Sequence, residues 1–514
     1  MKRSMAALAA AVVLVAAACG DDDDSSSTDA PTETEAAAET EASEPAVTDA
    51  PAETEAPAGT DAPAETEPVE TEAPAETEAP AATEAESPES DGVLTVPEEF
   101  ATITDAVAAA QPGDLVLVYP GVYNEAVDVT TDEIVIRGTD RNEVILDGEF
   151  ELDNGIRVLG ASGVAVENLT ARNYTVNGVF FTDSDNYRAS YVTAYRNGDY
   201  GIYAFDSVNG VFEHSYASGS PDAGFYIGQC YPCNAVINDV TAEHNGLGYS
   251  GTDSGGNLLI VNSTFNNNRA GIVPNSGSYE LCYPERETTI IGNRVYSNNQ
   301  PDTPAIDVAI LAMGNGVVVA GGVRNTIERN LVYDHDKTGI ALVPFLEETP
   351  NDDLPTEEEW DLTCEEQLAL PLPDEIPEVL IWNSYDNAVQ DNEVSDSRIA
   401  DLGIGVAGEP GDAATLRNCF AGNTFTTSAP ADLEALAPCD AAGDGDWAAN
   451  PLDVVSWLAD AETNPPAVDY TEAPTPEPPV LDGMPDAETA PAEPATNVPY
   501  EVDLDAIALP AMGG

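Results

Sequence analysis

The chain has 514 residues, and 94 aspartates and glutamates against 16 lysines and arginines give it a formal net charge of −78. That surplus excludes nucleic acid and anionic membrane surfaces as electrostatic partners, because both carry the same sign, and it favours a soluble monomer. Hydrophobic residues make up 42% of the chain, but acids and prolines gather at its two ends, so the folded part is smaller than the whole.

Residues 1–18 have the layout of an export signal: Lys2 and Arg3, an apolar run from Met5 to Val15, then small residues. The run is too short to span a bilayer. The stretch Val15-Ala-Ala-Ala-Cys19 resembles a bacterial lipobox, which implies lipidation of Cys19 and anchoring at the outer face of the cell membrane, with the lipid as the only membrane contact. Residues 19–91 follow as an acidic Thr/Glu/Pro/Ala stalk, with 24 acids and no base between 21 and 91. So much like charge and so little apolar surface predict an extended, disordered tether.

From residue 92 the pattern changes. Phe100, Ile103, Val107 and Ala110 fall on one helical stripe, ended by Gln111-Pro-Gly113. Short Val/Ile runs at 115–119, 125–129, 133–137 and 143–146 then read as strands between Pro-Gly, Thr-Asp and Asp-Gly turns. After them a phrase recurs: Asn177-Gly-Val-Phe-Phe181, Tyr200-Gly-Ile-Tyr-Ala-Phe205, Ala270-Gly-Ile-Val-Pro274 and Thr338-Gly-Ile-Ala-Leu-Val-Pro344. Asparagine-rich turns accompany these copies, in loose multiples of a 22–25-residue unit, and such self-similarity marks a solenoid of stacked coils. Alternating triplets such as Val164-Ala-Val166 send every second side chain inward, while glycine and asparagine suit the corners.

The run Phe100–Ala110 followed by Gly113-Asp-Leu-Val-Leu-Val-Tyr-Pro-Gly-Val-Tyr123 resembles the opening of right-handed parallel β-helix proteins of the pectin lyase-like superfamily. The coils beyond it are similar to NosD-like and mannuronan C5-epimerase repeats. The resemblance covers about residues 93–425 and implies an all-β, right-handed, single-stranded parallel β-helix with an N-terminal capping helix. We place that domain at 92–440, a C-terminal cap at 441–464 around Leu452, Val455, Trp457 and Leu458, and an acidic, proline-rich, mostly disordered tail at 465–514. Within the tail, Val502–Leu509 has the composition to pack back on the coils. Two insertions leave the coils, at 277–287 and at about 346–378.

Six cysteines besides Cys19 form an even set, which in an exported chain reads as disulfides. Cys419 and Cys439 are expected to close one loop. Cys230 and Cys233 either pair locally or send one member to Cys282, and Cys364 completes the set.

Two groups of residues carry candidate chemistry. Asp334, His335, Asp336 and Lys337 put two carboxylates, an imidazole and the one lysine after the signal within four positions. Proton removal beside a uronate carboxylate needs a base near neutral pH and a cation or donor for the developing enediolate. An arginine or calcium is the candidate cation, and the Asp-His-Asp run partly resembles the Asp-Pro-His motif of alginate epimerases. In the coil alignment, His335 also falls within a position or so of Asn197, Asn245, Asn267 and Asn298, where a corner residue is expected. The second group is aromatic: Tyr191, Tyr195, Tyr200, Tyr203 and Tyr226 offer stacking faces with hydroxyl tips, as a carbohydrate groove requires.

Gly-x-Ser-x-Gly, His-Glu-x-x-His and nucleotide-binding loops are absent from 92–440, as are the Gly-His-Gly of polygalacturonases and the Gln-Asp-Thr-Leu of pectin methylesterases. The resulting expectation is an envelope β-helix that binds an extended acidic polysaccharide and modifies it in the manner of a lyase or epimerase. The alternative is a non-catalytic surface or assembly module, NosD-like in the broad sense.

Overall fold

The computed structural model describes residues 92–496 and 500–512. Cys19, the signal and the stalk lie outside the described residues. Among these residues no helix is long and apolar enough to cross a membrane.

The coils form three long sheets of twelve, eleven and ten strands in which every pairing is parallel, here called the first, second and third sheets. Together they make the right-handed parallel β-helix, the hand that crossovers between parallel strands take. One inward column of the first sheet shows how it is filled. Val116, Ile136, Val166, Ala189, Phe212, Ile237 and Ile260 stand in register on successive coils and are fully buried. Parallel strands buried on one face by such columns leave no room for slippage, because a one-residue shift would turn every column outward.

The recurring x-Gly-Ile/Val phrase has a steric cause. Its glycines, among them Gly178, Gly201, Gly224, Gly248, Gly271, Gly316 and Gly339, start the strands of the second sheet. A Cβ on any of them but Gly224 would lie 2.3–2.6 Å from a neighbouring coil's carbonyl oxygen or an interior side chain, and at Gly224 the nearest atom, the Asn245 amide nitrogen, would be at 2.9 Å. At Gly178, Gly224 and Gly271 the added atom would also meet an asparagine amide.

Those asparagines form ladders inside the corners. Asn330 shows the pattern: its Oδ1 accepts from the backbone N–H of Asn293 and from the Asn293 amide, both at 3.0 Å, and its Nδ2 donates to the Ile290 carbonyl. Asn392 and Asn423 continue this ladder, and the Glu434 carboxylate ends it by accepting from Asn423. Each rung satisfies a backbone donor that the coil geometry would otherwise bury without a partner.

Both ends are closed. The helix Ile103–Ala109, capped by Thr102, buries Ile103, Ala106 and Val107 against the first coil. At the far end the short helix Leu433–Leu436 covers Phe420, with Leu433 fully buried. The helix Val454–Ala461, which was expected to close that end, packs instead on the outer face of the second sheet, against Val318, Ala341 and Val343.

The tail departs from the sequence reading. Residues 465–496 and 500–512 follow a defined path over the coils, where composition predicts disorder. An extended proline-rich backbone has carbonyls with no internal donor, and the solenoid supplies donors from arginines. Arg269 reaches the Pro465 and Pro466 carbonyls, Arg196 those of Tyr470 and Thr471, Arg141 that of Asp482, Arg137 those of Ala490 and Pro491, and Arg329 that of Leu504. Ile507 is buried among Val236, Val261 and Ile291, in line with the expected packing of that segment.

The disulfides are Cys230–Cys233, Cys282–Cys364 and Cys419–Cys439. The third agrees with the sequence reading and the first takes its local alternative. Cys282–Cys364 joins the two insertions to each other.

Candidate functional site

The four residues of the Asp334–Lys337 corner do not converge. His335 is 2% exposed and occupies the asparagine column, with its Nε2 3.4 Å from the Asn298 amide. Burial pushes its imidazole down to about 3, so it is neutral across the physiological range. Lys337 is 4% exposed, with its ammonium 3.5 Å from the Leu311 carbonyl and 5.5 Å from the centre of the Trp457 ring. Asp334 and Asp336 are exposed; Asp334 accepts from Ser297, and the Asp336 carbonyl accepts from Arg398. Alternation explains the divergence, since neighbours along a strand or corner point to opposite sides.

The aromatic group divides in two. Tyr195 is buried under the tail, its hydroxyl donating to the Thr475 carbonyl, and Tyr191 sits at a corner with its ring tilted 31° against that of His214. Tyr200, Tyr203 and Tyr226 do meet, on the outer face of the second sheet. Register makes the core of this group: Phe180, Tyr203 and Tyr226 are direct partners on three successive strands, with Arg157 before them. Strands about 4.8 Å apart set rings at stacking distance. Phe180 and Tyr203 are 4.8 Å apart, as are Tyr203 and Tyr226. Tyr200, from the preceding corner, lies 4.3 Å from Tyr203 with the planes 7° apart, and 4.9 Å from Tyr226. Phe180, Tyr200, Tyr203 and Phe205 are half-buried and keep accessible surface, whereas Tyr226 is 1% exposed.

Carboxyls line this platform. Tyr200 donates to Asp222 Oδ2 at 2.6 Å, and Tyr226 donates to both Glu280 oxygens at 2.6 and 2.7 Å. Burial pushes Glu280 up to about 8 and Asp199 up to about 6. Asp222 is raised well above the usual carboxylate range by burial and by Asp199 beside it, with the Tyr200 hydroxyl acting in the opposite direction. Its Oδ1 is buried with no hydrogen-bond partner. The Tyr200 and Tyr226 hydroxyls are pushed well above 10, first by burial and then by these acids, so they stay protonated and donate.

Asp222 was visible in the sequence among the tyrosines, and it stands one coil beyond Tyr200. Glu280 and Asp199 carried no such signal: Glu280 comes from the first insertion, 54 residues from Tyr226. Among the described residues, no group of three or more histidine, cysteine or acidic side chains is placed to hold a metal ion.

A family model described as a right handed beta helix region matches residues 154–344. No curated protein matches the chain significantly. Among solved structures, the chain is similar to the Azotobacter vinelandii mannuronan C-5 epimerase AlgE4 A-module at 14% identity and a TM-score of 0.37, covering 63% of this chain and 89% of that one. It is similar to the alginate lyase from Paenibacillus sp. str. FPU-7 at 15% identity and a TM-score of 0.35, covering 65% and 99%. A third similar structure is pectate lyase Pel9A, at 13% identity and a TM-score of 0.36, covering 74% and 83%.

Proposed function

We propose that the chain binds an extended polysaccharide along the outer face of its second sheet and acts on it by proton transfer of the lyase or epimerase type. The observation that carries this reading is the parallel pair Tyr200 and Tyr203, continued one coil away by Phe180. Ring edges and hydroxyls in file along the solenoid axis suit contacts with successive sugar rings. Further along, the same face bears Val273, Val318 and Ala341, which helices cover.

The acidic class of polymer fits the protonation states. Glu280 is neutral below about pH 8, so it adds no negative charge beneath a uronate carboxylate. Asp199, at about 6, lies in the range of a base working near neutral pH, while Tyr200 lies in that of a donor to an enediolate. As pH rises through about 8, Glu280 ionises and repels the uronate, so affinity for such a polymer falls on the alkaline side. Export with a lipid anchor at Cys19 would place this flank among envelope polymers, and we retain that localisation as part of the proposal.

The burial of Tyr226 favours a second reading, a module that binds without reacting, since the Tyr226–Glu280 pair is then closed to substrate. Incubating the full chain with alginate and with polygalacturonate, with and without calcium, separates the two. The first reading expects unsaturated or epimerised product that is lost in Asp199→Asn while binding persists. Binding without product leaves the module, and binding to neither polymer, nor to a wider glycan panel, overturns the proposal.

A further inference from the structure

A cavity lies away from the tyrosine platform, where the long insertion folds back on the corner between the first and second sheets. Its volume is about 260 Å³, and its wall includes Trp360, Tyr385, Pro284 and Leu354 with the polar side chains of Asn383 and Glu357. Trp360 and Tyr385 are 5.7 Å apart at 41° and form an angled aromatic wall. Leu354, 45% exposed, forms the apolar rim opposite this wall. The half-buried Asn383 amide has no protein partner among the described residues, and the Glu357 carboxylate keeps acceptor capacity beyond its 3.1 Å bond to Arg417.

The cavity is held open in advance. Cys282–Cys364 ties the insertion to its neighbour, Arg324 pairs with Asp361 at 2.5 Å, Arg417 bridges Glu357 and Asp386, and Trp382 donates to the buried Glu347 at 2.7 Å. A preformed pocket binds without the entropy of ordering its walls.

We propose that this cavity is a binding site for a single neutral pyranose ring, such as the terminal residue of a glycan. A pyranose has an apolar face for the aromatic wall and an edge of hydroxyls for one amide and one carboxylate, and the volume admits one ring rather than a chain. The carboxylate at Glu357 disfavours an acidic sugar here, which sets this site apart from the platform in specificity as well as place. The inference does not rest on the proposed function and stands or falls separately.

Two tryptophans in the wall give a direct readout. The full chain is titrated with methyl β-D-glucopyranoside, methyl β-D-galactopyranoside, methyl α-D-mannopyranoside and D-glucuronate, followed by tryptophan fluorescence and saturation-transfer NMR. At least one neutral glycoside is expected to saturate with a Kd of about 1 mM, the strength that ordinary ligand efficiency gives a single ring. The same glycoside should bind at least tenfold more weakly to Tyr385→Ala and to Asn383→Ala, and unchanged to Tyr203→Ala. Asn383→Ala removes no bond from the free protein, so a loss there is not a folding defect. No saturable response to any of the three neutral glycosides, a response untouched by both pocket variants, or tighter binding of glucuronate than of every neutral glycoside overturns the proposal.

Discussion

The Asp334–Lys337 corner and the Tyr200–Tyr203–Tyr226 platform both look like chemistry in the sequence, and the coil treats them in opposite ways. At the corner, His335 fills the slot that asparagine fills on neighbouring coils and is held neutral by burial. On the platform, side chains that point outward on successive strands are stacked by the register itself, and their hydroxyls hold acids that burial has shifted toward neutral pH. The lesson is that in a solenoid the column a residue occupies decides its role, ahead of its chemical type.

The comparison can be broken most severely through the columns themselves. Gly271→Ala puts a Cβ 2.4 Å from the Gly316 carbonyl oxygen and 2.6 Å from Val295, backbone and interior that cannot give way cheaply. A loss of at least ~3 kcal/mol, read as a lowered denaturation midpoint, is the expected result. Asn330→Ala removes the acceptor of the Asn293 backbone N–H and of one amide N–H of Asn293, whose bond to the Ile260 carbonyl remains, together with the donor to the Ile290 carbonyl, and should cost about 2–3 kcal/mol by the same measurement. If either substitution proved neutral, the columns would not be the organising feature.

Platform variants come next in size. Tyr203→Ala removes the ring that touches Phe180, Tyr200 and Tyr226, and should weaken polysaccharide binding tenfold or more, about 1.4 kcal/mol, with little change in stability.

A pH series sharpens the electrostatic half of the contrast. Glu280 has a folded value of about 8 against an ordinary 4.5, so the folded state holds more protons than the unfolded one between those limits. Stability from this group is therefore present below about pH 4.5 and is lost as pH rises toward 8. His335 has the opposite sign: its folded value of about 3 lies below the ordinary 6.5, and stability from it is lost as pH falls from about 6.5 to 3. Glu280→Gln should flatten the alkaline decline of the melting temperature and leave the acid limb unchanged. An unaltered alkaline limb would show that Glu280 is solvated. The smallest effect is expected of His335→Asn, which restores the residue type of the column and should change stability by no more than about 0.5 kcal/mol.

Much of the fold was legible because one period governs it. The glycine before each second-sheet strand and the asparagine in each corner recur for reasons of contact, and contacts between coils repeat with the chain. Tyr200 and Asp222 could be paired by coil alignment for the same reason. Glu280 could not, since an insertion has no register with the coils and reaches Tyr226 only through its own fold. Nor could the course of the tail: Pro491 and its neighbours lack the apolar content that marks a packed segment, and what holds them is a set of arginine donors on coils hundreds of residues earlier. Composition describes what a segment can do alone, and this one does not act alone.

The central claim, that the outward aromatic column is the working surface and the histidine corner is scaffold, is tested most directly by one paired titration. Binding of alginate and polygalacturonate is measured for Tyr203→Ala and His335→Asn beside the unsubstituted chain at neutral pH. The account predicts at least a tenfold loss for Tyr203→Ala and wild-type affinity for His335→Asn. Retained binding in the first with loss in the second would contradict it.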